Sequence, residues 1–437
     1  MKENLKRIIV EWQENIKNFS EKVYERNTAL RYTNEINTII GLRRSGKTYL
    51  LFTEIRKLLK GRTNINQILY INFDDERLIN LNSSANGYDS IIEAYYELFP
   101  ENISRQLYIF FDEIQNLDKW GLFIKRLYEK KKYRITITGS SSRLLSSEIA
   151  TELRGRIVTY KIYPLSFDEF LKFNNSVIEK NSEYSTARFG IVKRANEFIR
   201  FGGFPAVTME YDIHQKNERL KDYLDMIIFK DIVERYAIRN THIIKLIMHY
   251  VLTNYACEFS VNSFINKYKK EYSLSKDTVF DYFSYLEDIG FLYFAGKYSL
   301  KTSEQYMSKK IYIADNGFIN IAEFSENENA GRKLENAVFL ELLKRENKIF
   351  YYKNDKSREC DFITGKNKKI DSAYQVCYEL NRNNEVREIT GLLEALKKFK
   401  LKKGFIITKS QEELKKIEDY TVICVPYWKW AINKIVE

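Results

Sequence analysis

Gly41-Leu42-Arg43-Arg44-Ser45-Gly46-Lys47-Thr48 follows the pattern G-x-x-x-x-G-K-[ST]. Residues of these types at this spacing can wrap a phosphate group. The glycines let the backbone bend so that successive N–H groups turn toward the oxyanion. A helix starting near Lys47 would add the positive end of its dipole. Lys47 is expected to reach the β- and γ-phosphates of ATP, and the Thr48 hydroxyl to ligate Mg²⁺. With Gly41, Arg43, Arg44, Ser45, Gly46 and Tyr49 they form the expected nucleotide-contacting run. The second half of such a site is an apolar strand that ends in a carboxylate, and Tyr108-Ile109-Phe110-Phe111-Asp112-Glu113 has that form. Asp112 is expected to hold the Mg²⁺ through water, and Glu113 to act as general base on the attacking water.

Two further segments could complete this chemistry. The strand Arg134–Thr138 runs into Gly139-Ser140-Ser141-Ser142-Arg143. A polar side chain at its tip could orient water against the γ-phosphate, with Ser140 the first candidate and Thr138 the second. Leu153-Arg154-Gly155-Arg156 precedes the strand Thr159–Tyr163. Arg154 or Arg156 could stabilise the charge that develops on the transferred phosphoryl, in cis or in a neighbour's site. A neighbour's site would make the protein a homo-oligomer.

These residues need a scaffold. Ile36–Ile40, Gln67–Phe73, Leu107–Phe111 and Arg134–Thr138 read as strands. Thr48–Lys60 reads as a helix with Leu50, Leu51, Ile55, Leu58 and Leu59 inward, stopped by Gly61. Strands alternating with helices argue a parallel sheet with helices on both faces. Residues 1–20 form an amphipathic helix with Leu5, Ile8, Ile9, Trp12 and Ile16 on one stripe. The expected order is an N-terminal helix (1–20), a phosphate-loop α/β core (21–165), a mostly helical segment (166–250) interrupted at Gly202-Gly203-Phe204-Pro205, and residues 251–330. In the last of these, helices near 261–272 and 276–289 precede short aromatic strands at 291–295 and 310–314, the order of a winged helix. Residues 331–437 begin with a helix at 333–345 and continue in strands and helices.

Composition sets outer bounds. The 437 residues suggest about three domains. Hydrophobic residues make up 44%, enough for several cores, while 17 Gly and 4 Pro exclude collagen-like and disordered chains. Lys and Arg number 71 against 59 Asp and Glu, a net +12. Residues 331–437 hold 23 of the cations and 16 of the anions, more than half of that surplus. Cys257, Cys360, Cys377 and Cys424 form no CxxC pair, which fits a reducing, cytoplasmic setting without disulfide or zinc framework. His242 and His249 read as structural. No apolar run approaches the ~20 residues of a membrane span.

The strings GLRRSGKTYLL, ILYINFDDERL, DEIQNLDKW, TGSSSRLLSSEIATELRGR, YPLSFDEFL, GGFP and YLDMIIFKDIVERY follow one another along the chain. Together they resemble the predicted AAA+ superfamily ATPases of archaea and bacteria that carry an uncharacterised C-terminal domain. The resemblance covers nearly the whole chain. It implies a P-loop AAA+ ATPase core with a helical lid (166–250), a winged helix (251–330), and a terminal α/β domain (331–437) resembling the restriction-endonuclease, or PD-(D/E)xK, fold. In such families Arg154 or Arg156 is the arginine-finger candidate. The nuclease pattern would set Glu335 on the first helix and Asp361 at a strand start, with the third position at Gln375-Val376-Cys377. There glutamine replaces glutamate, and cysteine replaces the lysine. Glutamine is a weaker Mg²⁺ ligand than a carboxylate, and cysteine cannot be the cationic water-activating group. A degenerate nuclease fold retained for binding is therefore expected, with an active nuclease as the lesser alternative.

Lys267, Lys269, Lys270 and Lys276 flank the expected recognition helix and could meet DNA. Tyr282, Phe283 and Tyr285 beside them read as core or dimer contacts. Lys366, Lys368, Lys369, Lys397, Lys398, Lys400, Lys402 and Lys403 are dispersed and suit nonspecific phosphate attraction. The expected function is ATP hydrolysis coupled to motion of the C-terminal modules, on DNA or another nucleic acid. The alternative is a slow nucleotide-gated switch that recruits a protein partner.

Overall fold

The computed structural model describes residues 2–18, 24–81, 87–139, 152–176, 184–299, 308–322, 329–345, 348–366 and 369–432. They fall into two compact units, residues 1–162 and 163–437.

In the first unit, β1 (Ile36–Gly41), β2 (Ile68–Asn72), β3 (Leu107–Asp112), β4 (Tyr133–Gly139) and β5 (Ile157–Ile162) form one sheet in the order β2-β3-β4-β1-β5. Every pair in it is parallel. Alternate residues of each strand face opposite sides, so two cores form. Ile36, Ile40, Leu69, Ile71, Ile109, Phe111, Ile135 and Ile137 belong to one, with helices α3 (Asp89–Leu98) and α4 (Trp120–Glu129). Ile39, Ile68, Tyr70, Phe110 and Ile162 belong to the other, with α2 (Lys47–Lys60). The N-terminal helix α1 (Lys2–Asn18) joins both. Its Leu5, Ile8 and Ile9 enter the first core, and Trp12 and Ile16 the second. Each such buried side chain contributes roughly 1.5–3 kcal/mol, so α1 is an integral layer of the unit.

In a parallel sheet all carboxyl ends of the strands lie along one edge. The register sets Ile40 beside Gly139, Phe111 beside Ile137 and Asn72 beside Asp112. Because β4 lies between β1 and β3, its tip separates the loop after Gly41 from Asp112 and Glu113.

The second unit opens with helices α5 (Phe167–Phe173), α6 (Ala187–Phe201), α7 (Pro205–Thr208) and α8 (Ile213–Met226), a π-helical stretch at Ile227–Glu234, and α9 (Thr241–Thr253). Helices α10 (Val261–Tyr268) and α11 (Lys276–Asp288) start where Ser260 and Ser275 accept the backbone N–H of Ser263 and Thr278, which satisfies donors at the helix ends. Strands β6 (Glu258–Phe259), β7 (Leu292–Lys297) and β8 (Lys309–Ile313) follow, and then α12 (Asn316–Ala322) and α13 (Ala330–Lys344). The terminal segment holds β9 (Lys348–Lys353), β10 (Glu359–Lys366), β11 (Lys369–Val376), α14 (Glu385–Phe399), β12 (Lys403–Thr408), β13 (Glu413–Ile417), β14 (Tyr420–Pro426) and α15 (Tyr427–Ile432).

The expected hairpin is present as antiparallel β7 and β8, with Leu292 opposite Ile313. It belongs to a nine-stranded sheet ordered β13-β14-β12-β11-β10-β9-β7-β8-β6. Strand β7 pairs parallel with β9, so the sheet runs across residue 330. The glycine pair at the end of α6 ties the helices to this sheet. Asp315, fully buried, accepts the N–H of Gly203 at 2.7 Å and of Gly317 at 2.8 Å. Burial pushes its carboxyl up to about 6, against the pull of those two donors.

Gly202 has φ 74°, and a Cβ there would lie 1.6 Å from Asp315 Oδ1. Gly202→Ala is expected to destabilise the protein by ~2 kcal/mol or more through backbone strain and displacement of Asp315. Gly190, inside α6, has no atom within 4 Å of its Cβ position. Gly190→Ala should be stabilising by about 0.5–1 kcal/mol. Thermal melting of the two variants checks the pair, which should shift in opposite directions.

Candidate functional site

The phosphate-loop sequence bends as its residue types require. Arg44 and Gly46 both have left-handed backbones, at φ 67° and 98°. Gly46 caps α2, so the helix starts at Lys47. Gly41 must lack a side chain, because a Cβ there would lie 2.2 Å from the carbonyl oxygen of Ile162. Arg26 Nη1 holds the loop from outside by donating to the Ser45 carbonyl at 2.9 Å. The Lys47 ammonium is buried and donates back to the carbonyls of Gly41 at 3.2 Å and Leu42 at 3.5 Å. The Ser45 hydroxyl is buried inside the loop with no hydrogen-bond partner among the described residues. A buried polar atom of this kind costs about 1–3 kcal/mol unless a ligand meets it, so the loop is built around a polar guest.

Asp112 is the centre of the opposite wall and is fully buried. Thr48 Oγ1 donates to its Oδ2 at 2.7 Å, and Tyr70 OH to the same oxygen at 3.1 Å. Thr138 Oγ1 donates to Oδ1. Burial raises the Asp112 carboxyl, and the Glu113 charge raises it further. The Thr138 and Thr48 hydrogen bonds and the Lys47 charge oppose both. Glu113 adopts a left-handed backbone at φ 51° and stands with its Oε1 3.9 Å from Lys47 Nζ. Its N–H is fixed by Thr138 Oγ1 at 3.1 Å, and its Oε2 accepts from Gln115 Nε2 at 2.5 Å. A buried carboxylate met within hydrogen-bond distance by hydroxyls, among the described residues, suits a hard divalent cation. Mg²⁺ commonly takes one or two protein oxygens and completes its shell with water and substrate phosphate. Thr48 and Asp112 fit that donor set.

Of the sequence candidates, Gly41, Ser45, Gly46, Lys47, Thr48, Asp112 and Glu113 converge at the carboxyl edge of the sheet. Arg43 and Arg44 lie in the loop and Tyr49, half exposed, on the first turn of α2. Ser140 lies outside the described residues. Thr138 stands between the two walls, donating to the Asp112 carboxylate and accepting the backbone N–H of Glu113.

Arg154 and Arg156 do not join this group. They precede β5, whose Ile157 pairs with Ile36 at the start of β1, whereas the phosphate loop follows Gly41, the partner of Ile162 at the far end. Both arginines therefore lie at the amino edge, a strand's length from the phosphate loop of their own chain. Arg156 donates to the Glu152 carbonyl at 3.0 Å and lies over the Tyr128 ring. Sequence reading missed Tyr70, Gln115 and Arg26. Tyr70 and Gln115 could have been found by their position, in the strand beside the Asp-Glu strand and two residues after Glu113.

The terminal unit holds a second constellation. Glu335, Asp361 and Gln375 do come together, but around Lys310 of β8. Lys310 Nζ lies 3.1 Å from Glu335 Oε1, 2.7 Å from Glu359 Oε1 and 3.3 Å from Asp361 Oδ1. Tyr312 OH donates to Glu335 at 2.8 Å. Gln375 accepts the Asp361 N–H at 3.2 Å and donates to Glu388 at 2.6 Å. Cys377 lies aside, its Sγ against the Glu379 carbonyl and its thiol pushed up to about 11 by burial. Three carboxylates thus share one buried ammonium, whose own pKa the neighbouring acids hold well above its ordinary value against the cost of burial.

An AAA domain matches residues 33–171, one domain of unknown function matches residues 192–328, and another matches residues 330–430. An uncharacterized protein of Methanocaldococcus jannaschii is 40% identical over 425 residues, covering 94% of this chain and 92% of its own. An uncharacterized protein of Haemophilus influenzae is 32% identical over 399 residues, covering 91% and 94%. Among solved structures, a Walker-type ATPase of Pyrococcus abyssi is 16% identical, covers 74% of this chain and 95% of its own, and has a TM-score of 0.40. The Orc1 protein of Aeropyrum pernix, solved in complex with DNA, is 12% identical over 76% and 94% of the two chains, with a TM-score of 0.31. No helix among the described residues is long and apolar enough to cross a membrane. The chain belongs to one family with the Methanocaldococcus and Haemophilus proteins, that of AAA+ ATPases carrying C-terminal domains.

Proposed function

We propose that the first unit binds and hydrolyses ATP with Mg²⁺, and that nucleotide state drives the C-terminal modules on nucleic acid. The observation that carries the hydrolytic part is the hydrogen bond from Thr48 to Asp112 at 2.7 Å, which links the phosphate loop to the Asp-Glu strand. The N–H groups of the loop and the Lys47 ammonium take the β- and γ-phosphate oxygens. Thr48 and Asp112 hold the Mg²⁺, which when bound offsets charge on the phosphate oxygens. Glu113 takes a proton from the attacking water as its oxygen bonds to the γ-phosphorus. The bond from that phosphorus to the β–γ bridging oxygen breaks, and ADP and phosphate leave. Thr138 positions Glu113 through its backbone, and Gln115 through its carboxylate. The reading assigns residues 21–165 to the core, 166–250 to a lid, 251–330 to a winged helix and 331–437 to a nuclease-like domain.

The nucleic-acid part is supported by exposed Lys267, Lys269, Lys270 and Lys276 around the start of α11. Cutting is disfavoured, because the Lys310 ammonium pairs with one oxygen each of Glu335 and Asp361, the acids that a metal would need. Arg154 and Arg156, at the edge away from their own phosphate loop, fit a role in a neighbour's site and hence a homo-oligomer.

Steady-state turnover should fall by ~10²-fold or more in Glu113→Gln while ATP binding persists. Lys47→Ala should lose both, and intact turnover in Lys47→Ala would defeat the hydrolytic reading. Wild-type turnover should rise severalfold with single- or double-stranded DNA, less so at higher salt; no response would remove the nucleic-acid part. An Arg154→Ala/Arg156→Ala variant, inactive alone, should recover part of its turnover when mixed with Lys47→Ala. Absence of recovery would exclude the shared site.

A further inference from the structure

The second unit contains a cavity of 570 Å³ whose walls are strongly basic. Helix α6 contributes Lys193, Arg194 and Arg200, α8 contributes Lys216, α13 contributes Lys333, and the turn after β12 contributes Lys409. Among the described residues Glu197 is the one acid on the wall, and two of the cations already share it. Arg194 lies 2.6 Å from its Oε2 and Lys216 2.5 Å from its Oε1. Among the described residues six cations line a concave, partly desolvated space with one carboxylate, an arrangement that favours an anion there.

Two independent features point the same way. The first turn of α13 lines the cavity at Ala330 and Lys333, carries no acid and has no side-chain cap, so the positive end of a 15-residue helix adds to the field. Lys409 directly follows β12, and Tyr378 lies two residues beyond the end of β11, its parallel neighbour. Ligands of parallel α/β sheets bind outside the carboxyl ends of such strands. The Lys409 ammonium rests over the Tyr378 ring at 5.0 Å, a flat partner beside the cations. The volume is within the roughly 300–1,000 Å³ range of small-molecule sites. It is too small for a duplex, and a nucleotide unit fits it.

We infer that this cavity binds a phosphate-bearing ligand of nucleotide size, with Lys193 and Lys409 at its mouth contacting the phosphate. The ligand is either a free polyphosphorylated molecule or one nucleotide of a single strand. The site lies wholly within the second unit, and its occupancy does not depend on turnover at the phosphate loop.

The test uses the full chain in a Lys47→Ala background, which disarms the phosphate loop. Binding of inorganic tripolyphosphate and of a fluorescent single-stranded oligonucleotide is measured by calorimetry and anisotropy. Lys193→Ala/Lys409→Ala should melt like its parent and bind at least one probe about tenfold more weakly, with a shallower salt dependence. Weakening for both probes identifies a nucleic-acid strand as the ligand source. Weakening for tripolyphosphate alone identifies a free phosphorylated molecule. Unchanged affinity for both overturns the site. Lys276→Ala, on α11, separates the two failures. If it alone weakens the oligonucleotide and the double variant leaves tripolyphosphate binding unchanged, nucleic acid binds at the winged helix and the cavity proposal is wrong.

Discussion

Burying the Asp112 carboxylate is the constraint on which the nucleotide site rests. Asp112 is fully enclosed, and hydroxyls of Thr48, Thr138 and Tyr70 meet its oxygens. Each of those hydroxyls comes from a different element: the first turn of α2, the tip of β4 and the neighbouring strand β2. The strand order fixes this convergence. With β4 between β1 and β3, Thr138 bonds at once to Asp112 and to the backbone of Glu113. A change in any of the three elements moves the Asp112–Glu113 strand end relative to the phosphate loop.

The second unit solves a similar problem in the opposite way. Glu335, Glu359 and Asp361 converge, and the protein answers with its own ammonium from Lys310. Removing one partner of such a cluster is far costlier than the net value of the pair. The ammonium reaches the acids from a hairpin strand that shares a sheet with the terminal segment, so the two are bound by charge as well as by backbone pairing.

Much of the nucleotide site was legible because it is local. Residues 41–48 form one contiguous bend, and Asp112 and Glu113 end one apolar strand, so spacing alone conveys their geometry. The five strands and α2 followed from the same alternation of apolar runs. The arginines were harder to read from residue type alone. Arg154 and Arg156 precede their strand rather than follow it, and in a parallel sheet that order assigns them to the opposite edge. Lys310 was not legible at all. It lies one residue into a short aromatic strand, far in sequence from Glu335 and Asp361, and only the pairing of β7 with both β8 and β9 brings them together. The same pairing makes one continuous sheet of segments that read as separate along the chain.

The most direct test of the site is ATP affinity measured with and without Mg²⁺ in wild type and in Asp112→Asn. If Thr48 and Asp112 hold the metal against the phosphates, Mg²⁺ should tighten wild-type binding about tenfold or more, and Asp112→Asn should erase most of that gain while leaving metal-free binding intact. Equal affinity with and without Mg²⁺, or a metal effect undiminished in Asp112→Asn, would contradict it.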